Sequence, residues 1–179
     1  MKVITVGKDT SYEVKKLYKQ AFPKNEQFPF WFLLWKARKK NIDFLAFYDN
    51  DEFVGFTYLI TQEDLTYILY LAVAKTTRSK GYGSQILNLL KEMFVKKRIM
   101  LSIESPDVKS DNLQQRQKRK AFYYKNEFMQ ICFSFKYANE VYDVLGYNGN
   151  IQFNEYNKLV ENFFGKILYQ FFKARQISK

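Results

Sequence analysis

Between Leu65 and Leu90 the chain changes from one backbone habit to another. An apolar, β-prone run from Leu65 to Ala74 leads into Lys75-Thr76-Thr77-Arg78-Ser79-Lys80-Gly81-Tyr82-Gly83-Ser84, and Gln85-Ile86-Leu87-Asn88-Leu89-Leu90 leaves as an amphipathic helix. The pattern reads as strand, polar turn, helix. Gly81 and Gly83 allow backbone conformations closed to other residues and a close approach of a ligand to the main chain. The start of a helix carries unpaired N–H groups and about half a unit of positive charge, so an anion fits there. With the charges of Arg78 and Lys80 added, Arg78 to Ser84 reads as an anion cradle, a plain glycine-containing turn being the alternative. A dinucleotide fingerprint would need a small third residue where Ile86 stands, and a Walker loop would need Gly-Lys-Ser/Thr; neither is met.

A chain of 179 residues, 47% apolar and 19% aromatic, is expected to form one packed domain over residues 1–179. The longest uninterrupted apolar stretch, Phe30 to Trp35, is far short of a membrane span, and Met1-Lys2-Val3 opens no signal peptide; a cytoplasmic protein with no membrane span is expected. Cys132 is the single cysteine and falls in an alternating strand pattern, where a small buried hydrophobe is expected. The chain has no histidine, which removes histidine-based hydrolases, histidine-ligated zinc and histidine general bases together. No metal is expected. The formal charge of +11 favours polyanionic ligands, among them nucleic acid and anionic membrane, although the cations are spread over Lys36 to Lys40, Lys96 to Arg98 and Arg116 to Lys120.

Along the chain, Val3 to Val6 reads as a strand, and Thr10-x-x-Glu13 as a capping box before a helix with Val14, Leu17, Tyr18, Ala21 and Phe22 on one face. Phe30 to Lys39 reads as a second helix after Pro29. Ile42 to Tyr48 and Phe53 to Thr61 read as strands joined by an Asp49-Asn50-Asp51 turn. Ile86, Leu87, Leu90, Met93 and Phe94 form the stripe of the next helix, and Arg98 to Glu104 a strand. Leu113 to Asn126 is a helix with a basic side, and Phe128 to Tyr137 alternates as a strand. A short strand near Val141 to Leu145 is followed by a break at Gly146 and Gly149. Residues 152–174 form one amphipathic helix, with Phe153, Tyr156, Val160, Phe163, Phe164, Ile167, Leu168 and Phe171 on one face; it covers the core, or else makes a homodimer contact or lies on a membrane surface.

Two landmarks in this order carry a resemblance. Arg78-Ser79-Lys80-Gly81-Tyr82-Gly83 resembles the acyl-CoA pyrophosphate loop of the GCN5-related N-acetyltransferases (GNAT family). Arg119-Lys120-Ala121-Phe122-Tyr123-Tyr124-Lys125-Asn126-Glu127-Phe128 resembles the Arg-x-x-Phe-Tyr-x-x-Asn-Gly-Phe segment that ends the fourth helix in many members. The resemblance implies an α/β (α+β) fold with a central mixed, mostly antiparallel sheet flanked by helices, here with an extra C-terminal helix. It implies transfer of an acetyl group from acetyl-CoA, as co-substrate, to an amine acceptor of a small molecule or peptide. On the same basis the backbone of Leu71, Ala72 and Val73 would bind the pantetheine arm, Arg78, Ser79, Lys80, Gly81, Tyr82, Gly83 and Ser84 the pyrophosphate, and Tyr123 would sit near the thioester sulfur, with Tyr124 its competitor. Many relatives place a glutamate base on the central strand; this chain has none from Leu65 to Ala74, and Glu104, then Glu26, are the candidates. Phe28, Phe30, Trp31 and Phe32 are candidate walls for the acceptor. Glu127 replaces the family glycine, so the turn there is expected to differ. A non-catalytic acyl-CoA-binding module and, less favoured, a basic nucleic-acid-binding protein are the alternatives.

Overall fold

The computed structural model describes every residue except Lys109, Ala138, Asn139 and Lys179, and every remaining side chain except those of Phe171, Phe172 and Ser178. Its elements are β1 (Lys2–Thr5), α1 (Ser11–Ala21), α2 (Phe30–Lys36), β2 (Ile42–Asp49), β3 (Glu52–Gln62), β4 (Leu65–Val73), α3 (Tyr82–Met93), β5 (Arg98–Glu104), α4 (Leu113–Lys125), β6 (Met129–Tyr137), β7 (Glu140–Tyr147), α5 (Phe153–Phe164), α6 (Lys166–Phe172) and β8 (Arg175–Ser178). The strands form an open, mostly antiparallel sheet in the order β1-β2-β3-β4-β5-β7-β6-β8, the class expected from the sequence. The chain divides into two compact units, Met1–Thr61 with Ile68–Met93, and Gln62–Tyr67 with Phe94–Lys179.

In the first unit the β2–β3 hairpin turns on Asn50 and Asp51, with φ of 45° and 65°. Such left-handed pairs match the twist of the flanking strands, and Asn and Asp tolerate them better than most residues. Val14, Leu17 and Tyr18 of α1 are buried as their helical spacing requires. Tyr18 meets Tyr70 of β4 edge-on at 5.0 Å, and Phe44 of β2 meets Tyr58 of β3 in the same way at 5.0 Å. The Thr10 capping box does not form: Thr10 Oγ1 accepts the Gly7 amide, and the Glu13 carboxylate accepts the Tyr48 hydroxyl at 2.8 Å. Helix α2 stops at Lys36 rather than Lys39, because the amides of Arg38 and Lys39 bond the tighter i−3 carbonyls of Trp35 and Lys36. In α3 the buried stripe is Ile86, Leu87 and Leu90; Met93 is exposed and Phe94 lies beyond the helix.

In the second unit β7 pairs antiparallel with both β5 and β6, and β8, which had no sequence signal, pairs with β6. Gly146 lies inside β7 and is no break. A Cβ there would meet Ile131 Cδ1 at 2.6 Å, so the glycine makes room for that buried side chain. Cys132 is exposed, contrary to expectation, because it alternates with buried Ile131 and Phe133; the β6–β7 register shift between Gln130 and Ser134 breaks the alternation only at Ser134, which is buried. The C-terminal segment is two helices, divided at Gly165 with φ 82°. Helix α5 lays Tyr156 on Phe135 at 4.8 Å, nearly parallel, so it covers this unit's core. Ile167 and Leu168 of α6 are exposed, and Phe171 lies outside the described side chains. Arg98 of β5 holds both carboxylate oxygens of Asp64, each at 2.8 Å, and Glu155 of α5 at 2.6 Å. Those bonds lower the pKa of both acids.

Burial raises the pKa of several phenols, Tyr58 and Tyr156 among them, and pushes Tyr123 up to about 12. In the unfolded chain a phenol ionises near 10. A raised folded pKa means that stability is fully present below about pH 10 and is lost as pH rises towards the folded value. In a spectrophotometric titration at room temperature these phenols should ionise together with loss of the far-ultraviolet helix signal, above about pH 10. Fourteen tyrosines titrating smoothly near pH 10 in a chain that stays folded would contradict the burial.

Candidate active site

Strand β4 ends where one side chain and two amides meet the Val54 and Ala74 carbonyls. The Ala74 amide donates to the Val54 carbonyl at 2.8 Å, and the buried Thr77 hydroxyl lies 3.2 Å from the same oxygen and 3.0 Å from the Ala74 carbonyl. A 3-10 turn over Lys75–Thr77 follows, in which the Thr77 amide bonds the Ala74 carbonyl. The chain then passes Ser79 at φ 62° and Gly81 at φ 83°, and the Gly81 carbonyl accepts the first helical bond of α3, from Gln85 at 3.1 Å. The amides of Tyr82, Gly83 and Ser84 therefore occupy the first turn, where a helix offers no internal acceptor. Around Gly81 nothing lies within 4 Å of where a Cβ would stand, so the backbone is open on that side.

The charges follow the same geometry. Arg78 and Lys80 are exposed, and Arg78 Nε folds back to the Val73 carbonyl at 3.3 Å. The Tyr82 hydroxyl donates to Asp49 Oδ2 at 2.7 Å, which ties the helix start to the β2–β3 turn and raises the phenol's pKa. Leu71, Ala72 and Val73 are the last residues of β4, with Ala72 buried and the other two half-buried. Chemically, this stretch combines exposed cations with the helix-start amides that can hold an anion.

The candidate acceptor residues divide. Phe28 is half-buried, with its ring 6.4 Å from Tyr70 and 6.2 Å from Phe32. Phe30 packs on Phe44 at 5.8 Å and Tyr18 at 6.0 Å, so it is largely a core residue. Trp31 stands in solvent, 68% exposed. The Glu26 carbonyl accepts the Tyr70 hydroxyl.

In the second unit Tyr123 is buried on the inner side of α4, with Phe122 at 5.2 Å and Phe128 at 6.0 Å. Desolvation raises its pKa to about 12, against a smaller lowering by Arg119. Tyr124 points outward and is 39% exposed, with Lys120 Nζ 5.8 Å from its ring centre. Both Glu104 oxygens are in ion pairs, one with Arg116 at 3.2 Å and the other with Arg119 at 2.9 Å. The turn after α4 keeps its shape in spite of Glu127, which takes φ 65°: the Phe128 amide bonds the Tyr123 carbonyl and the Glu127 amide the Tyr124 carbonyl. That pair of bonds is a Schellman cap, strong enough to hold a glutamate where glycine costs about 1 kcal/mol less.

A model of the acetyltransferase (GNAT) family matches residues 11–123. The chain belongs to that family, whose chemistry is acetyl-CoA-dependent N-acetylation. No protein of curated function matches the sequence. Among solved structures, a GNAT-family protein from Bacteroides thetaiotaomicron is similar in fold, with TM-score 0.67 and 18% identity over 94% of this chain and 98% of that one. An aminoglycoside 6'-N-acetyltransferase complexed with coenzyme A has TM-score 0.66 and 15% identity, over 82% and 96% of the two chains. The ribosomal-protein-S18-alanine N-acetyltransferase of Escherichia coli has TM-score 0.65 and 12% identity, over 84% and 95%.

Sequence reasoning passed over the residues that support the loop. Thr77 carried no motif, and Gly55 lay unmarked inside the strand read from Phe53 to Thr61. A Cβ on Gly55 would run into the Ala72 carbonyl oxygen and come within 3.2 Å of Val73 Cα. An isolated glycine inside an apolar strand is the available signal for such a close backbone approach. Gly55→Ala should therefore displace the end of β4 and cost about 1–3 kcal/mol, read from urea unfolding. A variant as stable as the parent would mean that the strands part there at no cost.

Proposed function

We propose that the chain transfers the acetyl group of acetyl-CoA to a primary amine of a small molecule or peptide, by direct attack of the amine on the thioester. The observation that carries this reading is the cradle, where two left-handed residues, Ser79 and Gly81, bring exposed cations to the start of α3. In this reading Arg78 to Ser84 hold the pyrophosphate through backbone N–H groups and side-chain charge. The backbone of Leu71, Ala72 and Val73 binds the pantetheine arm as an added strand would. One N–H there faces the thioester oxygen as it becomes an oxyanion, an interaction worth about 3 kcal/mol per donor.

Tyr123 serves the leaving sulfur. Its phenol, pushed up to about 12, stays protonated throughout the neutral range. A thiol ionises near 8.5, so complete transfer of the phenol proton to the thiolate is uphill by about 3–4 pK units, or about 5 kcal/mol. Tyr123 therefore works as a hydrogen-bond donor that stabilises the departing thiolate. Glu104 is our candidate for receiving the amine proton, with Glu26 the second; the two Glu104 oxygens face Arg116 and Arg119. An amine that arrives neutral, or a water chain, removes the need. Phe28 and Phe30, with Trp31 at the outer edge, form the acceptor's apolar wall in this reading. On composition we read the protein as cytoplasmic and its residues 1–179 as one catalytic domain. Among the described residues no helix is long and apolar enough to cross a membrane.

Calorimetric titration with acetyl-CoA, against ATP as the anionic control, tests the reading before any acceptor is known. Micromolar binding of acetyl-CoA with ATP much weaker is expected, and Gly83→Val should weaken it by crowding the first helical turn. Equal affinity for both ligands would leave only a general anion site. In an acetylation assay, Tyr123→Phe should lower kcat about 10- to 100-fold with the KM for acetyl-CoA nearly unchanged. Full activity of that variant would pass the role to Tyr124 or water, and binding without turnover on any amine would favour a non-catalytic acyl-CoA module.

A further inference from the structure

Helix α2 is turned in an unusual sense. Its lysine, Lys36, is 5% exposed, while both tryptophans of the chain, Trp31 and Trp35, stand out at 68% and 52% exposure. The inward side is held by Leu33, fully buried, whose carbonyl accepts the Tyr58 hydroxyl at 3.1 Å. Trp31 and Trp35 are four residues apart, so they project from the same side of the helix. The Lys36 ammonium lies 5.1 Å from the Trp35 ring and 5.5 Å from the Phe32 ring, and desolvation lowers its pKa. Immediately after the helix come Arg38, Lys39 and Lys40, all exposed, and no carboxylate occurs anywhere from Gln27 to Ile42.

Large apolar rings left in water beside an unbroken run of cations are costly to solubility and stability unless something covers them. Indole is the side chain best suited to a water–lipid boundary: its face enters the acyl region and its N–H finds a headgroup oxygen. Cations flanking such rings add attraction to anionic headgroups. A peptide partner would call for a groove with pockets. Two rings projecting from a single helical turn, each more than half exposed, instead stand out into solvent. We propose that the outer face of α2, Trp31 and Trp35 with Arg38, Lys39 and Lys40, docks the protein reversibly on an anionic lipid bilayer. This goes beyond the acetyl-transfer reading and does not depend on it, the two sharing only Trp31, at the outer edge of the acceptor wall.

Because both tryptophans lie on the proposed face, indole emission reports on it directly. Mixed phosphatidylcholine–phosphatidylglycerol vesicles should shift the emission to the blue and sediment with the protein, whereas pure phosphatidylcholine vesicles should do neither. Replacing Arg38, Lys39 and Lys40 by serine together should weaken vesicle binding roughly 100-fold, at about fivefold per cation. Trp35→Ala, at an exposed site that leaves Trp31 as reporter, should weaken it roughly tenfold. No shift with the anionic vesicles would overturn the proposal, and so would unchanged binding by both variants. A response to glycerol phosphate in solution equal to that of the vesicles would mean a phosphate site instead. A response to polyglutamate matching that of the vesicles would mean an acidic protein partner.

Discussion

One backbone carbonyl, that of Val54, decides where the first unit's central strand stops. It accepts the Ala74 amide at 2.8 Å and lies 3.2 Å from the buried Thr77 hydroxyl. While β4 follows β3 the ladder satisfies each amide in turn; once Thr77 supplies a side-chain partner, the chain can leave the sheet without orphaning buried groups. The departure sets the entry of α3, and the left-handed Ser79 and Gly81 complete the change of direction. Gly55 serves the same junction from the other strand, since any side chain there would push against Ala72. The candidate anion cradle is thus a consequence of how one strand ends, and its cations Arg78 and Lys80 are exposed.

The second unit is organised on a different principle. Helix α4 turns ions inward together with the Tyr123 ring. Arg116, 3% exposed, donates to Glu104, Glu140, the Ser105 carbonyl and the Asn112 side chain. One turn on, Lys120 meets the fully buried Asp143 at 2.8 Å, and Ser134 donates to the other oxygen of that acid at 3.1 Å. A buried guanidinium is tolerated only when its donors are matched in this way. One further turn brings Tyr123, aligned with Arg116 and Lys120 on the inner face and fixed from the C-terminal side by the Schellman cap. Ion pairs before it and a cap after it leave Tyr123 little freedom to rotate out of register with Tyr124.

Much of this architecture was legible. The hairpin turn, the strands and the helix stripes follow from local rules that act within a few residues, and β5 and α4 lie within a residue of where periodicity put them. What escaped depends on partners distant in sequence. Gly146 read as a break because glycine usually is one; only the Ile131 side chain, brought over by strand pairing, makes it a strand residue. Cys132 read as buried because a free cysteine usually is, yet it lies on the exposed face of β6 between buried Ile131 and Phe133. Strand β8 has no amphipathic signal and exists through its pairing with β6. In the candidate site the glycines and charges were visible, but Thr77 and Gly55 were not, since their role lies in the backbone atoms they meet.

The charge pattern was the least legible feature, for a physical reason. Composition treats every cation as solvated, yet Arg116 and Lys36 are buried while Arg38, Lys39 and Lys40 are exposed. A seven-residue helix such as α2 completes barely two turns, so periodicity cannot decide which side faces in. The choice falls to specific contacts, the Tyr58 hydroxyl on the Leu33 carbonyl and the Lys36 ammonium beside two aromatic rings. Those contacts leave the tryptophans outside. The same net charge therefore does three separate jobs on one chain: it completes a buried ionic network under α4, it lines the start of α3, and it flanks the exposed indoles of α2. Each job is set by whether the fold buries the cation or leaves it exposed, and composition carries no trace of that choice.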